Sequence, residues 1–402
     1  MGGRHHYFSL ELARRGHSVT LVGAQRHHLL LDGADAAPGI EMRDGYRFVR
    51  VPVPGYAHAH DKKRILNWLL FSKRLRHLPK RLGEIPDTIL YSSPSLLGFR
   101  GAERLARKVG ARLVFEVRDI WPLTLQEVGG KPPSHPLIRW MQRVEDRAYR
   151  VSDAVISNLP NAVDHMEMRG LDREKFTWVP NGFSLEETSN PEPLGVEISD
   201  ALPKGKFLVG YAGTIGAANA LDTMLDAAAM LKEHEDIAFV VVGSGRERRR
   251  LQAEAERRKL RNVNFFDPVA KRQIQSLLTR FDACFLLWND TPLYRFGTSA
   301  NKMFDYLFSG RPVLNGYSGQ ADPVIEYGAG LSFAAGDARA FSEAVLTLKN
   351  LPGTERAAMG ARGHAAALEY HEYGMLAQKL EPVLCPWQMQ VNDLKQKGRA
   401  SS

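Results

Sequence analysis

The sequence predicts an α/β protein of two Rossmann-like domains facing across a cleft, and three observations carry that prediction. At 402 residues the chain is longer than one hydrophobic core ordinarily supports. Short runs rich in β-branched residues alternate with stretches of helical spacing, the pattern of a mostly parallel sheet covered on both faces. The alternation occurs twice, on either side of a segment with little periodicity.

In the first series, strands are expected at 19–22, 48–53, 88–91, 113–117 and 154–157, with helices over 7–15, 102–109 and 137–149. The segment 184–206 holds three prolines, two glycines and several acidic residues, and reads as a linker. The second series places strands at 207–213, 238–243, 263–266, 283–288, 312–315 and 331–334. Its helices are expected over 221–233, 246–260, 272–279, 301–308 and 338–348. The expected organisation is a domain over 1–190, a second over 205–370, and a tail, 371–402, that can pack back as a helix on the first domain. Two such halves place the default ligand site in the cleft between them. Met1-Gly2-Gly3-Arg4 runs straight into a helix-like stretch, although a glycine-rich loop of this kind normally follows a buried strand. The expectation is either a start further upstream or an empty slot in the first sheet.

Hydrophobic residues at 44% and charged residues at 25% match an ordinary soluble globular protein. Cys284 and Cys385 lie far apart, which leaves neither a disulfide framework nor a zinc motif and points to the reducing cytoplasm. No apolar stretch reaches the roughly 18 residues of a membrane span, and the N-terminus lacks a signal-peptide layout. A formal charge of +9 favours anionic partners: nucleic acid, membrane lipid or phosphorylated small molecules.

Gly243-Ser244-Gly245 follows a strand and opens a helix, but Arg248 stands where a dinucleotide fingerprint needs its third glycine. A tight turn with Arg246, Arg248, Arg249 and Arg250 as a solvated face is the simpler reading. The run Gly210 to Gly216 closes the first strand of the second half with small residues that let a ligand approach the backbone. The helix near Leu221 is placed to favour an anion there.

Between Tyr294 and Val313 the signal is denser. Gly297, Thr298 and Ser299 can supply amides and a helix cap, and Gly310-Arg311-Pro312 stops the helix. Arg295 and Lys302 flank the helix start, where a diphosphate would gain the dipole and two cations. Asp305 lies one turn after Lys302, placed to accept from a ribose or to pair with that lysine.

Several stretches, taken in order, resemble the retaining glycosyltransferases of family 4, which have the GT-B fold, and in particular their branch of bacterial surface-polysaccharide transferases that add fucosamine-like sugars. These are Gly2-Gly3-Arg4 with Leu10 to Gly16 and His17-Ser18-Val19-Thr20, then Arg118-Asp119-Ile120-Trp121-Pro122, Val179-Pro180-Asn181-Gly182, Tyr211-Ala212-Gly213-Thr214, and Tyr294 to Pro312. The ordered set spans nearly the whole chain.

The resemblance implies a nucleotide-sugar donor, with UDP as the base-bearing group, and Asp305, five positions before Gly310-Arg311-Pro312, as the ribose contact. Donor binding is expected at Gly213, Thr214, Arg295, Gly297, Ser299 and Lys302 as well, Arg295 and Lys302 by their position at the helix start. The family's two glutamates around Phe-Gly are absent, since Tyr294 and Lys302 occupy those places, and Thr214 replaces its diphosphate-gripping arginine. The phosphate grip is therefore expected at Arg295 and Lys302. On the acceptor side the resemblance implies Gly2, Gly3 and Arg4, with Asp119, Arg118 and His5 as catalytic candidates. Asp119 would take the acceptor hydroxyl proton, while Arg118 and Asp119 can equally form a structural pair, and His5 and His6 can reach the site or simply pack.

No Asp-x-Asp metal motif occurs, and no cofactor beyond the donor substrate is expected. The resemblance implies retention of anomeric configuration without a protein nucleophile, and a lipid-linked or oligosaccharide acceptor. The segment 62–76 mixes aromatic, aliphatic and cationic residues at helical spacing and suits either the inner face of an anionic membrane or a core helix with basic ends. Two other functions compete: a nucleotide-sugar epimerase or hydrolase of the same fold, which would turn over donor without acceptor, and a non-catalytic nucleic-acid or membrane-binding protein. Nucleic acid is not expected, because no aromatic-basic platform or recognised motif supports it.

Overall fold

The computed structural model describes residues 3–25, 39–55, 63–93 and 95–387. Met1 and Gly2, named above, and Lys62, the first residue of the segment 62–76, lie outside them. The chain runs through one compact unit to Pro180, builds a second over Asn181–Glu372, and returns to the first at Tyr373.

Among the described residues the first unit holds two sheets. β1 (Thr20–Ala24) pairs in parallel with β3 (Tyr46–Val51), and β2 (Ile40–Arg43) adds antiparallel to β3. β4 (Thr88–Ser92), β5 (Arg112–Val117), β6 (Ala154–Ser157) and β7 (Phe176–Trp178) form a wholly parallel sheet in that order. The apolar run of β5 is buried from Leu113 to Val117, as a strand covered on both faces must be. Helices α1 (Arg4–Arg14), α2 (Lys63–Leu75), α3 (Phe99–Val109) and α4 (Pro136–Val151) belong to this unit.

The second unit is a six-stranded parallel sheet. Its strands are β8 (Phe207–Ala212), β9 (Ile237–Val242), β10 (Val263–Phe266), β11 (Ala283–Leu287), β12 (Val313–Gly316) and β13 (Gly330–Phe333). They run in the order β10-β9-β8-β11-β12-β13. The order reverses between β8 and β11, where ligands of open α/β sheets gather outside the carboxyl ends. Its main helices are α5 (Leu221–Met230), α6 (Arg248–Arg257), α7 (Asn301–Phe308), α8 (Ala338–Asn350) and α9 (Gly353–Tyr370). Buried Val209, Tyr211, Phe239, Val241, Phe285 and Phe341 pack one face, and Leu208, Val240, Leu286, Phe304 and Leu307 the other.

The last helix, α10 (Tyr373–Leu384), lies in the first unit. Tyr373 stacks on Tyr7 of α1 with centroids 4.7 Å apart, while Arg15 and His17 engage Glu381.

Three details depart from the sequence expectations. The linker 184–206 carries two short helices, Leu185–Ser189 and Val196–Ala201. It is pinned where the carbonyls of Glu192 and Pro193 accept from Ser276 and Gln273. Its prolines erase periodicity but leave those acceptors intact. The helix expected from 246 begins at Arg248, because Gly245 has φ +154 and a Cβ there would stand 2.0 Å from the Ile215 carbonyl oxygen. β2 and β7 carry no strand signal: one is a polar edge and the other three residues long.

Candidate functional site

In the second unit, the turn after β8 sets the scene. Gly213 donates its N–H to the Val242 carbonyl at 3.0 Å. The Thr214 carbonyl gathers the Tyr211 hydroxyl at 2.6 Å and the Asn219 amide at 2.9 Å. A Cβ on Gly243 would lie 1.9 Å from the Gly213 carbonyl oxygen, so only glycine allows the β8 and β9 turns to approach so closely. Across the point of strand reversal, Asn289 after β11 donates to the Ala217 carbonyl at 3.0 Å.

α7 delivers Lys302 to this turn. The hydroxyl of Tyr306 accepts from the Ala212 N–H at 2.8 Å and donates to the Ala212 carbonyl at 3.1 Å, fixing the helix to the end of β8. Lys302 Nζ donates to the Tyr211 hydroxyl at 2.7 Å and to Asn219 Oδ1, and lies 4.6 Å over the Tyr211 ring. A Cβ on Gly213 would meet Lys302 Cε at 3.4 Å, an ordinary contact distance, so the lysine stem lies alongside this turn. Among the described residues no carboxylate pairs with this ammonium, and burial lowers its pKa to about 8. The cation thus stands against the loop in which Thr214 replaces arginine.

The other residues singled out beside Lys302 scatter. Asp305 neither pairs with Lys302 nor shares its surroundings: both carboxylate oxygens accept from Lys271 Nζ at 2.8 Å. Burial raises the Asp305 pKa against the pull of Lys271, and Glu187 adds to the rise. Positions three apart on a helix are rotated by about 60°, enough to send a long and a short side chain to different neighbours. Ser299 does not cap α7, whose N-cap is Ala300. Its hydroxyl and carbonyl instead accept from the backbone and side-chain nitrogens of Asn181, at 2.8 and 2.6 Å. Arg295 folds over the Phe296 ring at 4.3 Å and donates to the Pro292 carbonyl. Gly297 adopts φ +87, which suits glycine. Tyr294, where the family's first glutamate would stand, packs against Trp288 and Tyr317. The arginines of α6 are answered: Arg250 by Asp222 and Glu247, Arg248 by Asp267.

In the first unit the carboxyl end of β5 holds a buried charge cluster. Glu116 accepts from Arg4 Nε at 2.7 Å and meets His5 Nε2 at 2.5 Å. Burial alone would raise this carboxyl, but the charges of His5 and Arg4, with hydrogen bonds from His5 and Ser92, hold it well below its ordinary range. Arg4 also donates to the carbonyls of Val179 and Pro180 and is 4% exposed, which corrects its expected acceptor-side role: its guanidinium is spent inside the fold. Gly3 is the extended N-cap of α1. His5 stays partly exposed, whereas His6 packs against Tyr46.

Arg118 is held by its backbone N–H donating to Ser93 Oγ at 2.9 Å. Next to it the Asp119 carboxyl is open to solvent, yet crowding by the surrounding protein raises its pKa against the pull of Arg118. Tyr211, Asn219, Lys271 and Tyr306 complete the second unit's constellation; only Tyr211 and Tyr306 fell inside stretches the sequence marked, and nothing near Lys271 singles it out.

Two family models match the chain: glycosyl transferase 4-like domain over residues 4–182 and glycosyl transferases group 1 over residues 197–365. The chain is 26% identical over 207 residues to the colanic acid biosynthesis glycosyl transferase WcaI of Escherichia coli, covering 50% of each. It spans little more than half the length of the curated relatives it matches. Among solved structures, sucrose-phosphate synthase from Thermosynechococcus elongatus superposes with a TM-score of 0.73 at 16% identity, covering 100% of this chain and 94% of that one. Anabaena HepE in complex with UDP-glucose gives 0.59 at 16% identity, covering 82% and 85%. These likenesses establish the GT-B fold.

Proposed function

Since the chain belongs to a glycosyltransferase family of GT-B type, we propose that it transfers a sugar from a UDP-sugar bound by the second unit to a saccharide or lipid-linked acceptor bound by the first, in the synthesis of a cell-surface polysaccharide. One observation carries the donor half: Lys302 stands beside the Gly213 turn at the strand-order reversal with neutral partners only among the described residues. An ammonium kept from water there gains most by meeting a diphosphate. The WcaI likeness and the UDP-glucose in HepE support the choice of pathway and donor.

As the sugar–oxygen bond breaks, Lys302 and the first amides of α7 stabilise charge on the leaving diphosphate without need of a metal. Asp119, at the end of β5, accepts the acceptor hydroxyl proton, and its raised pKa makes it a better base than an ordinary aspartate. Transfer proceeds with retention, as the family resemblance implies. Asp305 reaches the ribose by exchanging one of its two Lys271 contacts.

No helix among the described residues is long and apolar enough to cross a membrane. The exposed side of α2 nevertheless carries Leu66 and Leu69 between Lys63, Lys73 and Arg74, a face suited to an anionic membrane surface. Thermal-shift screening of UDP, GDP and ADP with their hexose derivatives tests the donor reading. UDP compounds should raise Tm most; a rise with GDP or ADP compounds alone contradicts it.

A further inference from the structure

The outward sides of α3 and α4 carry a charge surplus that neither the donor site nor the Glu116 cluster uses. The two helices hold eight basic residues against three acidic ones, a surplus of five in a chain whose formal charge is +9. All three carboxylates are already engaged. Glu103, 3% exposed, accepts from Arg147 Nε at 2.9 and 3.0 Å and meets Arg107 at 3.0 Å and Arg100 at 3.6 Å, which joins the two helices. Glu145 is buried and accepts from the Tyr149 hydroxyl at 2.8 Å, and Asp146 holds Arg169 through both oxygens.

Arg104, Lys108, Arg139, Arg143 and Arg150 remain, exposed and with no side-chain partner among the described residues. Arg104 with Lys108, and Arg139 with Arg143, stand four positions apart, a like-charge spacing that weakens a helix. Arg139 and Arg143 also line, with Gln126, Ile138, Gln142 and Arg169, a cavity of about 430 Å³. Between them in sequence, Trp140 is 40% exposed. Repelling cations that the fold leaves unanswered favour an anionic partner. An indole among arginines suits the layer where lipid headgroups meet acyl chains, with the guanidinium groups on phosphate and the ring in the apolar edge. Duplex nucleic acid would answer the charge and leave the indole in water.

We propose that α3 and α4 form a docking face for an anionic lipid bilayer, with a headgroup phosphate held in the Arg139–Arg143 cavity and Trp140 entering the interface. This deepens the membrane contact proposed above for α2, on which it rests, and assigns the charge to two further helices of the same unit.

Flotation of the full chain with vesicles of equal parts phosphatidylcholine and phosphatidylglycerol, against phosphatidylcholine alone, tests the face. The parent should float with the acidic vesicles only, and Arg139→Ala combined with Arg143→Ala should weaken that binding about tenfold or more. Trp140→Phe should lose the blue shift in tryptophan emission that acidic vesicles induce in the parent. An unchanged Tm shows that the variants are folded. A double variant that floats like the parent overturns the face, as does a parent that ignores acidic vesicles yet binds duplex DNA through the same two arginines. Loss of flotation confined to Lys73→Ala combined with Arg74→Ala leaves the α2 contact standing and overturns this one. A parent that floats with neither vesicle ends both.

Discussion

At the end of β5, Glu116 sits between Arg4 and His5 with each charge answered inside the fold. At the end of β8, Lys302 sits among a phenol, an amide and glycine backbone. Both edges lie where ligands of parallel sheets gather, and both cations are largely removed from water. On the function proposed above, the difference separates architecture from function. A buried ion pair holds elements together, whereas a buried cation given only neutral partners is costly to the fold and is best explained by an anion that the fold itself does not supply.

The largest expected effect lies on the architectural side. Glu116→Gln leaves Arg4 buried without its counter-ion and should cost about 3–5 kcal/mol in urea denaturation, as breaking one partner of a buried pair does. Because the Glu116 pKa is lowered in the folded state, its contribution to stability is present above the unfolded value, near 4.5, and is lost as pH falls through the folded value. A Glu116→Gln protein as stable as the parent would erase the distinction between the two edges.

On the functional side, Lys302→Met should weaken UDP binding by about ten- to a hundredfold in calorimetry while leaving stability within about 1 kcal/mol of the parent, or raising it. The opposite pattern, lost stability with retained UDP affinity, would make Lys302 architectural too.

A smaller effect follows from pH. Lys302 is charged below about 8, so UDP affinity should fall as pH rises from 7 through 8 to 9.5, and that fall should be absent in Lys302→Met. The folded state binds this proton less tightly than the unfolded state, so the same group makes the protein more stable as pH rises from about 8 toward 10.5.

The smallest effect is expected of Tyr306→Phe. Losing its bonds to Ala212 should cost about 0.5–1.5 kcal/mol of stability, and UDP affinity should drop only as far as α7 shifts. A drop as large as that of Lys302→Met would mean that helix placement, more than charge, governs the site.

The second unit was largely legible in the sequence because its signals are local. The apolar run Ile237–Val242 and the helix Asn301–Phe308 fall within a residue of their expected bounds. Lys302 was legible for a related reason: the helix start, the preceding glycine and the missing arginine at Thr214 all lie in short stretches. Partnerships across elements were not. Nothing around Lys271 announces that it takes both oxygens of Asp305, and nothing around Val179 and Pro180 announces that their carbonyls enclose Arg4. Ser299 shows the same limit, since its pattern fits a helix cap while its hydroxyl serves Asn181, 118 positions away.

The pKa of the Lys302 ammonium, followed by NMR with and without saturating UDP, tests the anion-site assignment most directly. A value near 8 in the free protein, rising by about one unit or more when UDP is added, is the predicted result. A value that UDP leaves unmoved would contradict it.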